Sequence, residues 1–159
     1  MPELDARNVK RPRISYRMLN PMSRNVYRVF IAHGKDDTWI ASQVARSVKD
    51  CGASAILDVV NIAKGDNFKD AIYREIADSD ELIAILTPWS AKRCWVWVEI
   101  GAAWGRGKRL VGVLHGITRA ELEEISGGIA VFGEINTLEL NEFDKYLLQL
   151  RRRAKEARN

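Results

Sequence analysis

Two cysteines and two histidines are all that 159 residues contain. Cys51 and Cys94 show no C-x-x-C spacing and no flanking histidine pair. That excludes a disulfide scaffold and a cysteine–histidine zinc centre, so no metal site is expected, and the thiols fit a reducing cytoplasm. Proline is nearly as rare: there are four, at positions 2, 12, 21 and 88. Beyond residue 21 only Pro88 can interrupt a helix or strand. No apolar run nears the ~20 residues a membrane span requires, so no membrane association is expected. Residues 1–20 are polar and basic without an apolar core, unlike a signal peptide.

What is present is a core-forming composition: 47% hydrophobic and 29% charged with both signs, typical of one globular domain. The formal charge of +4 is uneven. Residues 1–28 carry a net +5, residues 151–159 a net +4, and the middle a net −5. The basic character therefore belongs to the ends. Aromatic residues are sparse among those charges, Tyr16 and Tyr27 alone, so solvated ends are favoured over a nucleic-acid surface. Residues 1–25, without periodicity and with three prolines, read as a basic leader or linker, and 26–159 as the folded domain.

Residues 27–32 alternate and then run apolar, as a buried strand does. His33-Gly34-Lys35 breaks the run. Asp36 is placed to cap a helix with Trp39, Ile40, Val44 and Val48 on one face, stopped by Gly52. Residues 53–57 read as a second strand ending at Asp58, and 59–67 as a loop. Phe68, Ile72, Tyr73 and Ile76 mark an amphipathic helix ending near Ser79. Residues 81–86 and 110–114 are apolar runs suited to strands buried on both faces. A helix over 92–106 joins them, with Trp95, Trp97, Trp104 and Cys94 expected in the core. Thr118-x-x-Glu121 is a capping box. Residues 129–140 hold a fifth strand, and Asn141 is placed to cap a last helix through Phe143, Tyr146, Leu147 and Leu150.

Five strands alternating with five helices predict an α/β, flavodoxin-like three-layer sandwich with a five-stranded parallel sheet in the order 2-1-3-4-5. In that arrangement the ligand crevice lies at the C-terminal ends of strands one and three. Those ends are residues 32–36 and 87–92; Asp58 ends the neighbouring strand. Glu99, the one carboxylate in the apolar helix after strand three, stacks over Trp95 four residues earlier. It is either a structural acid facing Lys92, Arg93 or Arg106, or a functional group. Its place beside the crevice favours the second. His115 ends strand four and receives no role. Gly101, Gly105 and Gly107 make no dinucleotide fingerprint.

Three segments resemble the Toll/interleukin-1 receptor (TIR) domains of bacterial type. Tyr27-Arg28-Val29-Phe30-Ile31-Ala32-His33 resembles the first-strand motif. Ile56-Leu57-Asp58 followed by Ile62, Gly65 and Phe68 resembles the second strand and BB loop. Ser90 with Trp95-x-x-x-Glu99 resembles the loop and helix holding the catalytic glutamate of the NAD-cleaving members. The sequence departs from many of those members at Val96 and at Gly34-Lys35. The resemblance implies an NAD+ glycohydrolase or cyclase releasing nicotinamide and ADP-ribose or a cyclic isomer, in bacterial antiviral defence signalling. It implies NAD+ as substrate with no cofactor, self-association, and a downstream effector protein.

Cleaving the nicotinamide–ribose bond passes through an oxocarbenium-like ribose, which a neighbouring carboxylate stabilises. That role falls to Glu99. Trp95 is expected to wall the site. Phe30, Ala32, His33, Gly34 and Asp58 are expected to flank the substrate, Lys35 to meet its pyrophosphate, and Ser90 to bond substrate or cap the helix. Two alternatives remain. One is a non-catalytic TIR scaffold, assembling through residues 59–68. The other is a nucleoside deoxyribosyltransferase-like enzyme, suggested by Glu99-Ile100-Gly101-Ala102-Ala103 followed by Gly107-Lys108.

Overall fold

A computed structural model describes residues 25–57, 68–125 and 135–159. The basic leader, Asp58 with residues 59–67, and residues 126–134 lie outside the described residues. Five strands, β1 (Arg28–Ala32), β2 (Ser54–Leu57), β3 (Glu81–Leu86), β4 (Arg109–Leu114) and β5 (Asn136–Glu139), form one parallel sheet in the order β2-β1-β3-β4-β5. The helices are α1 (Thr38–Asp50), α2 (Phe68–Asp78), α3 (Cys94–Gly105), α4 (Arg119–Ile125) and α5 (Phe143–Glu156). The expected sandwich and strand order are observed.

Strand alternation sorts the core into two layers. Val29, Ile31, Ile83, Ile85, Val111 and Val113 face α1 and α5, meeting Val44, Val48, Phe143 and Leu150. Phe30, Ala32, Leu82, Ala84, Leu86 and Leu114 face the other way, meeting Ile72 and Ile76 of α2, Val96 and Ile100 of α3, and Leu122 of α4. Every residue of β3 is buried, as a central parallel strand requires. The capping box forms: the Thr118 amide donates to Glu121 Oε2 at 2.8 Å, and the Glu121 amide to Thr118 Oγ1 at 3.2 Å. The Thr118 amide, and then its hydroxyl at 2.7 Å, donate to the exposed Glu121 carboxyl and hold it below its usual range. Gly52, with φ +85°, ends α1 in the left-handed conformation expected of it.

Several local expectations fail for identifiable reasons. Asp36 does not cap α1, because a 3-10 turn over Lys35–Asp37 moves the helix start to Thr38; Asp36 instead pairs with Arg93 at 3.1 Å. Trp39 is 74% exposed. At 100° per residue it lies half a turn away from Val48, so the two never shared a face. Trp104 is 48% exposed and Cys94 is exposed, on the outer side of a helix that is apolar all round. Asn141 does not cap α5; it sits inside a 3-10 turn, Leu140–Glu142, that precedes the helix.

Candidate active site

Strand order directs the search for a site to the edge where the chain leaves β1 and β3. After β1, Gly34 and a 3-10 turn lead into α1; after β3, Thr87-Pro88-Trp89 and a second 3-10 turn, Ser90–Lys92, lead into α3. The two exits lock together. Thr87 Oγ1 donates to Asp37 Oδ2 at 2.8 Å, and Asp37 is 2% exposed. The same hydroxyl accepts the Ser90 amide at 3.1 Å. Ser90 Oγ accepts the Thr87 amide at 2.8 Å and donates to the Ile85 carbonyl at 2.9 Å. A methyl group at Gly34 would come within 3.2 Å of Ser90 Cβ and 3.3 Å of its Cα, so this close packing uses the missing side chain of glycine. Sequence reasoning missed Asp37 and Thr87. The only signal was a pair of adjacent acids after β1, Asp36 and Asp37, which does not say that one is buried.

The predicted residues divide into three groups. Phe30 and Ala32 are fully buried beneath α2 and α3, in the same core layer as Trp95. They form a floor rather than an open lining. His33, Gly34 and Lys35 form the lip after β1. His33 Nδ1 lies 3.2 Å from the Ile31 carbonyl, and Lys35 is exposed, its carbonyl accepting the Thr38 hydroxyl at 2.7 Å. Ser90 is fully buried with its hydroxyl engaged by the loop on both sides, so it holds the exit of β3 in shape. Asp58 lies outside the described residues.

Glu99 sits in the middle of α3 and is 0% exposed. Trp95, one turn earlier, packs against Phe68 at the start of α2, with ring centroids 5.8 Å apart. Its Nε1 is buried and finds no acceptor among the described residues. Trp97 is anchored by donating to the Ala91 carbonyl at 2.8 Å. The Arg93 guanidinium donates to Asp36 at 3.1 Å and that of Arg106 to the Ala102 carbonyl at 3.3 Å. Burying a carboxylate costs several kcal/mol of solvation even in a polar pocket. The described residues contain no cluster of three metal-ligating groups.

The TIR domain family model matches residues 29–150, spanning the sheet and all five helices. The chain is a member of the TIR domain family. Solved structures share its fold. The TIR domain of the Toll-related receptor TRR-2 from Hydra magnipapillata aligns with TM-score 0.61 at 15% identity, over 84% of this chain and 100% of that one. The TIR domains of the activated Roq1 resistosome, which recognizes the pathogen effector XopQ, align with TM-score 0.55 at 14% identity, over 84% of each chain. The CMP N-glycosidase BcmB of Clostridium botulinum aligns with TM-score 0.54 at 19% identity, over 77% of this chain and 97% of that one. Among curated proteins no sequence matches this TIR domain. No helix among the described residues is long and apolar enough to cross a membrane.

Proposed function

We propose that this TIR domain cleaves the N-glycosidic bond of NAD+, releasing nicotinamide, with Glu99 as the catalytic group. The observation that carries the reading is a carboxylate held fully buried on the helix that leaves β3; sheets of this order bind ligands at the switch point beside that strand's exit. Nicotinamide leaves neutral from a cation, so the leaving group needs little acid assistance. The barrier is the oxocarbenium-like ribose. A carboxylate fixed in a low-dielectric pocket beside the sugar stabilises that charge more than one in water. Trp95 excludes water from one side, and the His33–Lys35 lip faces the phosphates, with Lys35 as a point charge. Water captures the ribose carbon to give ADP-ribose; an internal nucleophile of the substrate closes a ring instead.

Because Glu99 is fully covered, substrate reaches it only after an opening step, which suits activity gated by self-association. The exposed apolar side of α3, carrying Val98 and Trp104, offers a surface for that association. On this reading the domain acts in antiviral signalling through a downstream effector protein, without cofactor.

A second reading is supported by the similarity to the CMP N-glycosidase together with the Glu99-x-Gly101-x-Ala103 run. It is cleavage of a base from a nucleotide by the same glutamate. Against it, Gly107 is the left-handed residue after α3 and the Lys108 ammonium donates to the Ala77 carbonyl. The Gly-Lys pair thus closes a helix at the sheet edge opposite the crevice.

The test incubates the purified protein, dilute and concentrated, with NAD+ or CMP, beside Glu99→Ala and Glu99→Gln, and resolves products by chromatography. Nicotinamide from the wild type alone supports the proposal, and the second product identifies linear or cyclic chemistry. Cytosine release would support the second reading. Cleavage by the Glu99 variants would place the chemistry elsewhere, and no cleavage at any concentration would favour a scaffold.

A further inference from the structure

A cavity of about 210 Å3 opens at the edge of the sheet opposite the crevice, between the starts of β4 and β5 and the inner face of α5. Its inner wall is electrostatically unusual. Glu81, the first residue of β3, is fully buried and accepts the Tyr27 hydroxyl at 2.9 Å, the Tyr146 hydroxyl at 3.0 Å and Arg153 Nη2 at 3.3 Å. Arg109 stands beside Glu81 in the register of β3 and β4. Arg109 and Arg153, both lining the cavity, therefore face one carboxylate, an excess of one positive charge among the described residues. At the rim Lys145 and Glu142 pair at 2.6 Å and cancel.

The Arg153 guanidinium is held in place. It lies 5.5 Å from the Tyr146 ring centroid and 6.0 Å from that of Tyr27, so it cannot swing to solvent without losing both contacts. Its Nε–H is buried and finds no acceptor among the described residues. A guanidinium held in place, with a second one beside the same carboxylate, is matched by an oxyanion, which accepts in the plane of the fork. Asn136 and Gln149 add neutral amides, and Leu138 an apolar contact.

We propose that this cavity binds a small phosphate-bearing molecule, its oxyanion held between Arg109 and Arg153. It is a site apart from the crevice and independent of the chemistry assigned to Glu99.

Thermal melts in a phosphate-free buffer provide the test, with inorganic phosphate, glycerol 3-phosphate, or sodium chloride at matched ionic strength. Side-chain amide NMR signals of Asn136 and Gln149 are followed alongside. Phosphate is expected to raise Tm saturably and to move both amide signals with the same midpoint, while chloride does neither. Arg109→Gln, at an exposed position, is expected to weaken binding about tenfold, as loss of one charge-assisted contact does. Gln149→Glu, on the exposed side of α5, puts a negative charge at the cavity and abolishes binding, a readout that stands even if Arg109→Gln folds poorly. A larger effect of glycerol 3-phosphate assigns the site to an organic phosphate; equal effects assign it to phosphate itself. A rise matched by chloride, a shift that never saturates, or undiminished binding by both variants overturns the proposal.

Discussion

Thr87→Val probes whether the two loop exits at the crevice are held together by hydrogen bonds or only by packing. The substitution nearly preserves shape and removes one hydroxyl. That hydroxyl donates to the buried Asp37 carboxylate at 2.8 Å and accepts the Ser90 amide at 3.1 Å, with the Trp89 amide more distant at 3.3 Å. Losing a buried bond to a charged acceptor costs about 1.5–3 kcal/mol, and stranding a buried amide adds about 1 kcal/mol. The expected loss is about 3 kcal/mol, a large share of the roughly 5–15 kcal/mol of a typical domain. For a chain of this size it corresponds to a fall in Tm of about 10 °C. Urea unfolding by circular dichroism measures it, with an unchanged m-value as the sign that the unfolded state is not involved. Asp37→Ala and the double variant complete a cycle, whose expected coupling is about 2 kcal/mol because both changes remove the same bond. A loss below about 0.5 kcal/mol, or two additive losses, would refute the clamp.

Gly34→Ala drives a methyl group against Ser90 Cβ and Cα at 3.2 and 3.3 Å; since Ser90 is buried and bonded on both sides, Tm is expected to fall by several degrees, about 1–2 kcal/mol of overpacking. Gly52→Ala forces a side chain into φ +85° and within 2.6 Å of Arg158 Nη2, with an expected loss of about 1–2 kcal/mol by chemical denaturation. Burial raises the Glu81 carboxyl above its ordinary 4.5, with Arg153 and the two phenols pulling the other way. The folded state therefore keeps a proton that the unfolded chain releases. This contribution to stability is complete below the ordinary carboxylate range and declines as pH climbs through the raised folded value. Glu81→Gln is expected to lack that decline when unfolding free energy is measured against pH. Burial, and then the Glu81 charge, raise both Tyr27 and Tyr146, so an alkaline titration followed at the tyrosinate absorbance should show these two phenols ionising only as the protein unfolds.

How much of the molecule was legible in the chain depends on the range of the forces involved. The run Glu81–Leu86 reads as a central strand because parallel strands need apolar residues on both faces, and it is one, to the residue. The Thr118/Glu121 box acts over three residues and forms as written. That Glu99 lies on the helix leaving β3 follows from the order of elements alone. Trp39 and Trp104 were misjudged because hydrophobicity says that a side chain tolerates burial, not that a partner reaches it. Asp36 and Asn141 were misjudged as caps because short 3-10 turns shift a helix start by a residue or two, below the resolution of local propensity.

Patterns of period 2 and 3.6, together with the order of elements, are local properties, and by themselves they determined the sheet and its strand order, while three short segments carried the resemblance to TIR domains. Pairings between distant polar groups carry no such periodicity. Tyr27, Tyr146 and Arg153 converge on Glu81 from 54, 65 and 72 residues away, and Asp37 meets Thr87 across 50. Which polar side chains are buried, what satisfies them, and the cavity they leave beside α5 were decided only when the sheet and α5 came together, because a buried polar group is stabilised by its neighbours in space and not by those in sequence.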